Sequence, residues 1–440
     1  MFLLFWVMYI AIVIIVIKKM SYENSINPMF YLCLTWSFML GTYLTSGIDF
    51  FYKPTLSSVL YLCFSFLTMV FGYVMGKRVF FSIGKKRKYR FAECTYDEAS
   101  PALEMYFWVG AVGGVLRNLD IVFQNDIVFG TRSVKNSSFF STIGGILMGM
   151  LLPVVAYEIY RSVERNVRIS IKFYIAVVLF SLNYILSGGR IGLFLLTFEI
   201  ISIVLCALKK FDYKYKKQVV LMIIIMLVIS LFFMTVIVDL RQGNIDQAAL
   251  ISYGFKSSFD NRTLDILKKY PKYRNIFIQG AFYFSHEIPN FSYFYDHYSE
   301  YFDFKYLGLY SMPVISNHLP SSWTASITNI EAIIAKMSAS AGVGAHTWRT
   351  VISNTIIDFG KKGSLVVIFL VFHLIGRIHS SWRKSPSVYG AIVLSFLCSG
   401  TAFSIMYSAT KEILWFYGLF WMLLVPYIKG KIVLFRKKNL

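Results

Sequence analysis

The sequence predicts an all-α polytopic membrane protein, and three observations carry that prediction. Of 440 residues, 57% are hydrophobic, 18% aromatic and only 15% charged, with a mean hydropathy of +0.59. Soluble domains hold about 45–50% apolar and about 25% charged residues, so an ordinary water-soluble enzyme is excluded. Apolar runs of roughly 17–25 residues, the length of a bilayer-crossing helix, recur along most of the chain. The basic residues gather in blocks between those runs, as membrane topology demands. A membrane β-barrel would instead show short alternating segments.

Taken in order, eleven spans are expected. The first three lie at about 2–17, 29–47 and 57–76, followed by 104–123 and 139–159. A closely joined pair covers 173–188 and 191–208, and the rest lie near 219–238, 363–379, 387–407 and 413–428. Residues 2–17 read as a retained helix rather than a secretory signal, because Lys18 and Lys19 follow the apolar stretch instead of preceding it. The chain thus divides into membrane helices over 1–238, one long polar-aromatic segment over 239–349, and a second membrane region over 350–440.

Charge fixes the expected orientation. With the N-terminus outside, the inner loops hold 26 of the 44 Lys and Arg residues, including seven between Lys77 and Arg90. The short outer connections hold eight: Lys53, Arg117, Arg132, Lys135, Arg190, Lys361, Lys362 and Lys411. The other ten lie on the long outer segment, which has no weight in the positive-inside rule. The reading is N-out and C-in, and most of the net charge of +21 is topology rather than a nucleic-acid signal.

Two small-xxx-small pairs, Gly110/Gly114 and Gly145/Gly149, permit close helix approach. Four of the five cysteines fall in spans and Cys94 in an inner loop, so no outer disulfide framework is expected. Phosphate-loop, dinucleotide-glycine and HExxH motifs are absent. Histidine spacing does not suit a metal, and neither a metal nor a cofactor is expected.

The segment 239–349 is large enough to build a site outside lipid. Its first part is basic and its second acidic, and it carries His286, His297, His318 and His346. The stretch 276–295, with Pro289 inside it, reads as a helix pair lying at the interface. Lys268, Lys269 and Lys272 form a solvated face with Asp265.

Four arginines are candidate anion ligands. Arg190 closes the turn Ser187-Gly188-Gly189-Arg190 between two nearly contiguous spans. It fits an anion clamp at headgroup depth, or an interfacial arginine that snorkels. Arg349 shares a helical face with His346 and Ser353, whereas Asp358 is half a turn out of phase. Arg241 follows the eighth span and Arg262 follows Asp260-Asn261. Arginine forks bind phosphate oxygens bidentately, which lysine cannot do. His346 and Glu287 are the candidates for activating a hydroxyl. Lys411-Glu412, before the last span, reads as an anchor.

On these residues the chain resembles the O-antigen or oligosaccharide repeat-unit polymerases (Wzy-type) of bacterial envelope glycan assembly. The shared features are the Gly-rich turn ending in Arg190, the long outer segment ahead of the last three spans, and Asp358-Phe359-Gly360-Lys361-Lys362-Gly363 leading into a span. Arg349 to Gly360 also fits an Arg-x10-Gly pattern, while from Arg241 that pattern meets Ser252, with Gly254 two residues beyond. The resemblance implies a GT-C-like helical fold in the bacterial inner membrane. It also implies a donor glycan on undecaprenyl diphosphate, transferred to a lipid-linked repeat unit, with a chain-length regulator and a flippase as partners. A surface-glycan ligase and a lipid-linked oligosaccharide flippase or transporter are the rival readings.

Overall fold

The structure, a computed structural model, describes residues 6–12, 14, 27–78, 96–124, 138–187, 191–210, 246–269, 271–302, 306–316, 319–341, 350–384, 386–404 and 408–424. Its helices are α1 Pro28–Thr45, α2 Leu56–Arg78, α3 Tyr96–Gln124, α4 Phe139–Met148, α5 Leu151–Glu164, α6 Ile171–Leu186 and α7 Ile191–Lys210. The long segment adds α8 Gln247–Phe255, α9 Asn261–Lys268, α10 Pro271–Ser285, α11 Glu287–Tyr301, α12 Pro313–Ser316 and α13 Ser321–Ala341. Then come α14 Val351–Lys384, α15 Val388–Phe403, a short 3₁₀ turn at Ala409–Lys411, and α16 Ile413–Leu424. Two strands of two residues each, β1 Ile48–Asp49 and β2 Ser258–Phe259, pair antiparallel with Ile48 opposite Phe259.

Four helical stretches are long and apolar enough to cross a membrane: Leu56–Arg78, Phe139–Glu164, Ile191–Leu208 and Val351–Lys384. Shorter apolar helices cover Ile171–Leu186, Val388–Phe403 and Ile413–Leu424, where further spans are expected. The expected span at 219–238 lies outside the described residues. Large apolar residues stay exposed in helical stripes, Leu60, Phe64, Leu67 and Phe71 on α2 and Val366, Leu370 and Leu374 on α14. Such stripes are unfavourable against water and natural against lipid. The molecule is a helical membrane protein.

Glycine breaks one expected span and sets the start of another. The stretch 139–159 divides into α4 and α5 at Gly149-Met150. The expected helix 363–379 is the second part of α14, whose ladder is interrupted at Gly360, with φ 70° and ψ 169°. That backbone is open to glycine and strained for other residues.

The core has two main lobes. One joins α3, α5, α6, α7, α15 and α16 around Tyr106, Tyr160, Phe180 and Phe396. The other joins α1, α2, α11, α13 and α14 around Trp36, Phe291, Ile330 and Ile356. A third, smaller cluster ties β1 to the long segment through Phe50, Phe259, Ile278 and Phe282. Helix α15 lies against both α1 and α7 and so bridges the lobes.

The closest helix pair is α2 with α14. A Cβ at Gly76 would lie 2.0 Å from the His373 carbonyl oxygen, one at Gly72 2.6 Å from that of Phe369, and one at Gly376 2.2 Å from that of Tyr73. Backbone therefore meets backbone along this seam, which only glycine permits. We expect Gly76→Ala to lower the stability of the purified protein by about 1–3 kcal/mol. Gly254→Ala, in a position with nothing within 4 Å, is expected to raise it slightly; thermal unfolding of both variants checks the contrast.

Candidate functional site

Polar residues gather at one end of the bundle, where the ends of α1, α3 and α6 meet the beginnings of α2, α4 and α14. The organising group is Asp358, fully buried on the first part of α14. Its carboxylate accepts from the backbone N–H of Tyr310 at 3.0 Å and of Ser311 at 2.9 Å, and from the Ser311 hydroxyl. The Asp358 carbonyl accepts in turn from Leu307 N–H at 3.0 Å. Leu307 and Gly308 both have positive φ, so the 306–311 turn is wrapped onto this helix. Asp358 thus looks towards the long segment, away from the face expected to carry Arg349.

Tyr310, held by Asp358, receives Lys411 over its ring at 3.5 Å and donates its hydroxyl to Glu331 at 3.2 Å. Thr410 donates to the Ser311 carbonyl at 2.7 Å. Glu412 accepts from the Tyr184 hydroxyl at 2.8 Å. Lys411 and Glu412, expected as a simple anchor pair, therefore reach different partners and join the long segment to the end of α6.

A second group surrounds Asp296. Its carboxylate accepts from Tyr52 at 2.8 Å, from Thr55 at 2.7 Å and from Ser57 at 3.2 Å. Burial, followed by the Asp296 carboxylate, pushes the Tyr52 phenol up to about 12, so it remains a donor. Lys361 stands 3.9 Å over the Tyr295 ring. Three stretches distant in sequence, 52–57, 295–296 and the one around Lys361, thus meet here.

The third group is the junction of α10 and α11. Pro289 has no N–H to give Ser285, and the helical run is interrupted at His286. The stretch 276–295 is therefore divided between two helices, α10 and α11, packed against α1 and α2. His286 and Glu287 are buried. His286 Nδ1 is 2.8 Å from the Phe282 carbonyl, an acceptor, so Nδ1 carries the proton of the neutral ring. Its Nε2 then presents a lone pair to Glu287 Oε1 at 3.3 Å. Burial pushes the imidazole down to about 4, against hydrogen bonds to the Phe282 and Tyr283 carbonyls that raise it.

Glu287 lines a small cavity with Trp36 and Leu40 of α1, Leu62 of α2, Ile288 and Phe291 of α11, and Thr350. Thr350 is the residue that follows Arg349 in the chain. Apart from Glu287 and Thr350 the lining residues are apolar or aromatic, and the buried Trp36 N–H has no acceptor among the described residues.

Of the residues expected to act, Arg190, Arg241, His346 and Arg349 lie outside the described residues. Arg262 is exposed on α9, beyond the N-cap Asp260, and is not among the residues lining the Glu287 cavity. Lys268 reaches Asp265 at 2.9 Å on an exposed face, as their spacing predicts. Among the described residues no group of three or more His, Cys, Asp or Glu side chains converges as a metal site. The missed residue is Arg117, considered only for topology, which the fold inserts between α3 and α4; the adjacent Gly144-Gly145 was the available signal. No known protein family, characterised protein or solved structure matches the chain.

The neutral burial of His286 has a pH signature. Its folded value of about 4 lies below the ordinary 6.5. The associated stability is full above about pH 6.5 and is lost as the pH falls towards 4, by up to about 3 kcal/mol. Thermal midpoints of the purified protein should therefore drop from pH 7 to pH 4.5, and His286→Gln should flatten the drop. An equal drop in both proteins would refute the assignment.

Proposed function

We propose that the protein is an oligosaccharide repeat-unit polymerase of a bacterial inner membrane, with its N-terminus outside, its C-terminus in the cytoplasm and its site at the Asp358 end. It transfers a growing glycan from undecaprenyl diphosphate to a lipid-linked repeat unit. It needs no nucleotide sugar, metal or cofactor, and no nucleic acid. The single observation that carries the reading is the small cavity lined by Glu287 and by Thr350, the residue that follows Arg349 in the chain, beside the long segment.

The roles follow from charge and geometry. Arg190 and Arg349, with Arg262 and Arg241 as further candidates, hold the diphosphate and offset the charge that develops as it leaves. Glu287 takes the proton of the acceptor hydroxyl and His286 holds it in place, or His346 does so. Lipid tails approach between helices, which sets the clamps at headgroup depth. A chain-length regulator and a flippase are the expected partners.

A second reading, transport of a lipid-linked glycan, is favoured by Glu199. It is fully buried within α7, and neither carboxyl oxygen has a hydrogen-bond partner among the described residues. Ionisable groups inside spans often mark transport paths. The readings separate in cells whose surface glycan is resolved on a gel. Loss of a polymerase leaves single repeats at the surface, loss of a transporter leaves none, and loss of a ligase strands long chains on the carrier.

Arg190→Ala and Glu287→Gln, inserted at normal levels, should each collapse the ladder to one-repeat products, with polymer reduced by about 10²–10⁴-fold for Glu287→Gln. Long chains from both variants would remove the proposed site.

A further inference from the structure

Arg117 is the cation whose seat the fold has shaped most closely. It stands on α3 against the beginning of α4, where Gly144 and Gly145 make room for it. A Cβ at Gly145 would lie 2.1 Å from Arg117 Nη1, and one at Gly144 would lie 2.9 Å from Arg117 Cβ and from its backbone nitrogen. Two consecutive glycines thus receive both the backbone and the guanidinium. Packing alone explains Gly110 and Gly149, which meet Leu151 and Tyr417; it does not explain a charge placed against Gly145.

The guanidinium is incompletely satisfied. Nη1 donates to the Ser141 carbonyl at 3.1 Å. The buried Nε–H has no acceptor among the described residues. Glu412 and Asp120 act on Arg117 electrostatically, yet among the described residues no carboxylate stands at ion-pair distance from it. Both acids have donors of their own: Tyr184 for Glu412, and Ser138 and Gln124 for Asp120. A partly buried arginine with a spare donor, beside acids that are bonded elsewhere, suits an anion supplied from outside the chain. Tyr184, which also acts on Arg117, lies in the last turn of α6.

We propose that Arg117 is a ligand for phosphate oxygen and completes its hydrogen bonds on the diphosphate of a prenyl-linked glycan. This rests on the donor class proposed above and assigns a residue to it. The same chemistry is offered by a phospholipid headgroup, so the test carries both.

The full-length protein, purified and held in a zwitterionic detergent, is titrated with undecaprenyl diphosphate, with phosphatidylglycerol and with inorganic pyrophosphate, and bound ligand is counted by native mass spectrometry. We expect the wild type to prefer undecaprenyl diphosphate over phosphatidylglycerol, and Arg117→Gln to weaken that binding at least about ten-fold. Arg117→Lys keeps the charge beside Glu412 and Asp120 but loses the fork. It should match the wild type in thermal stability and still bind weakly. If Arg117 serves only as a counter-charge, Arg117→Lys binds as the wild type does, and the proposal is overturned. Unchanged binding by a folded Arg117→Gln also overturns it, as does equal competition by phosphatidylglycerol. Diphosphate binding that depends on Arg117, in a protein whose loss leaves long surface glycans intact, supports this site and removes the polymerase reading instead.

Discussion

The Asp358 carboxylate is the group on which the arrangement of the polar end depends. A buried carboxylate needs donors, and this one has three from Tyr310 and Ser311. Hydrogen bonds to a charged acceptor are worth roughly 1.5–3 kcal/mol each, and more is lost when the charge is left bare. The bond from Leu307 N–H to the Asp358 carbonyl fixes the turn from its other side. Everything attached to that turn is thereby placed: Lys411 against Tyr310, Thr410 on Ser311, and Glu331 on the Tyr310 hydroxyl. The break at Gly360 serves the same end. It lets Asp358 face the long segment while Ser364, one turn further on, meets Tyr61 of α2.

Glycine does two separate jobs in this molecule. Along α2 and α14, Gly72, Gly76 and Gly376 bring backbones into contact, and the result is a rigid seam with lipid-facing stripes on either side. Between α3 and α4, Gly144 and Gly145 admit a charged side chain where any larger residue would collide with it. In the first case the missing side chain increases dispersion contact. In the second it admits a cation to a partly buried position. The same residue type therefore marks both the inert part of the bundle and the part suited to bind.

Hydrophobic run length and charge made most of the helices legible, because a chain in lipid must satisfy its backbone within each span. The joined pair at 173–188 and 191–208 appears as α6 and α7 within two residues of its expected limits. The helix pair around Pro289 was legible too, since proline removes a backbone donor and here coincides with the break at His286. The seam glycines were harder to read. Gly72 and Gly76 have the same spacing as the pairs at 110/114 and 145/149, and only the fold tells which of them faces a backbone. The direction of Asp358 was legible as helical phase, but its partners were not. Tyr310 and Ser311 lie 48 and 47 residues away in sequence, and no local pattern encodes such a pairing.

Two buried glutamates separate the chemical from the transport reading. Glu199 is fully buried within α7, and neither of its carboxyl oxygens has a hydrogen-bond partner among the described residues. Glu287 is also buried, yet it has His286 at 3.3 Å and lines a small cavity with Thr350. A base has to lose a proton, meet a hydroxyl and keep the proton it gains, and each of those steps needs a polar neighbour or open space. Glu287 has both, whereas Glu199 has no hydrogen-bond partner among the described residues. That difference in surroundings, more than the number of acids in the membrane, favours proton transfer at the Asp358 end over ion movement through the middle of α7.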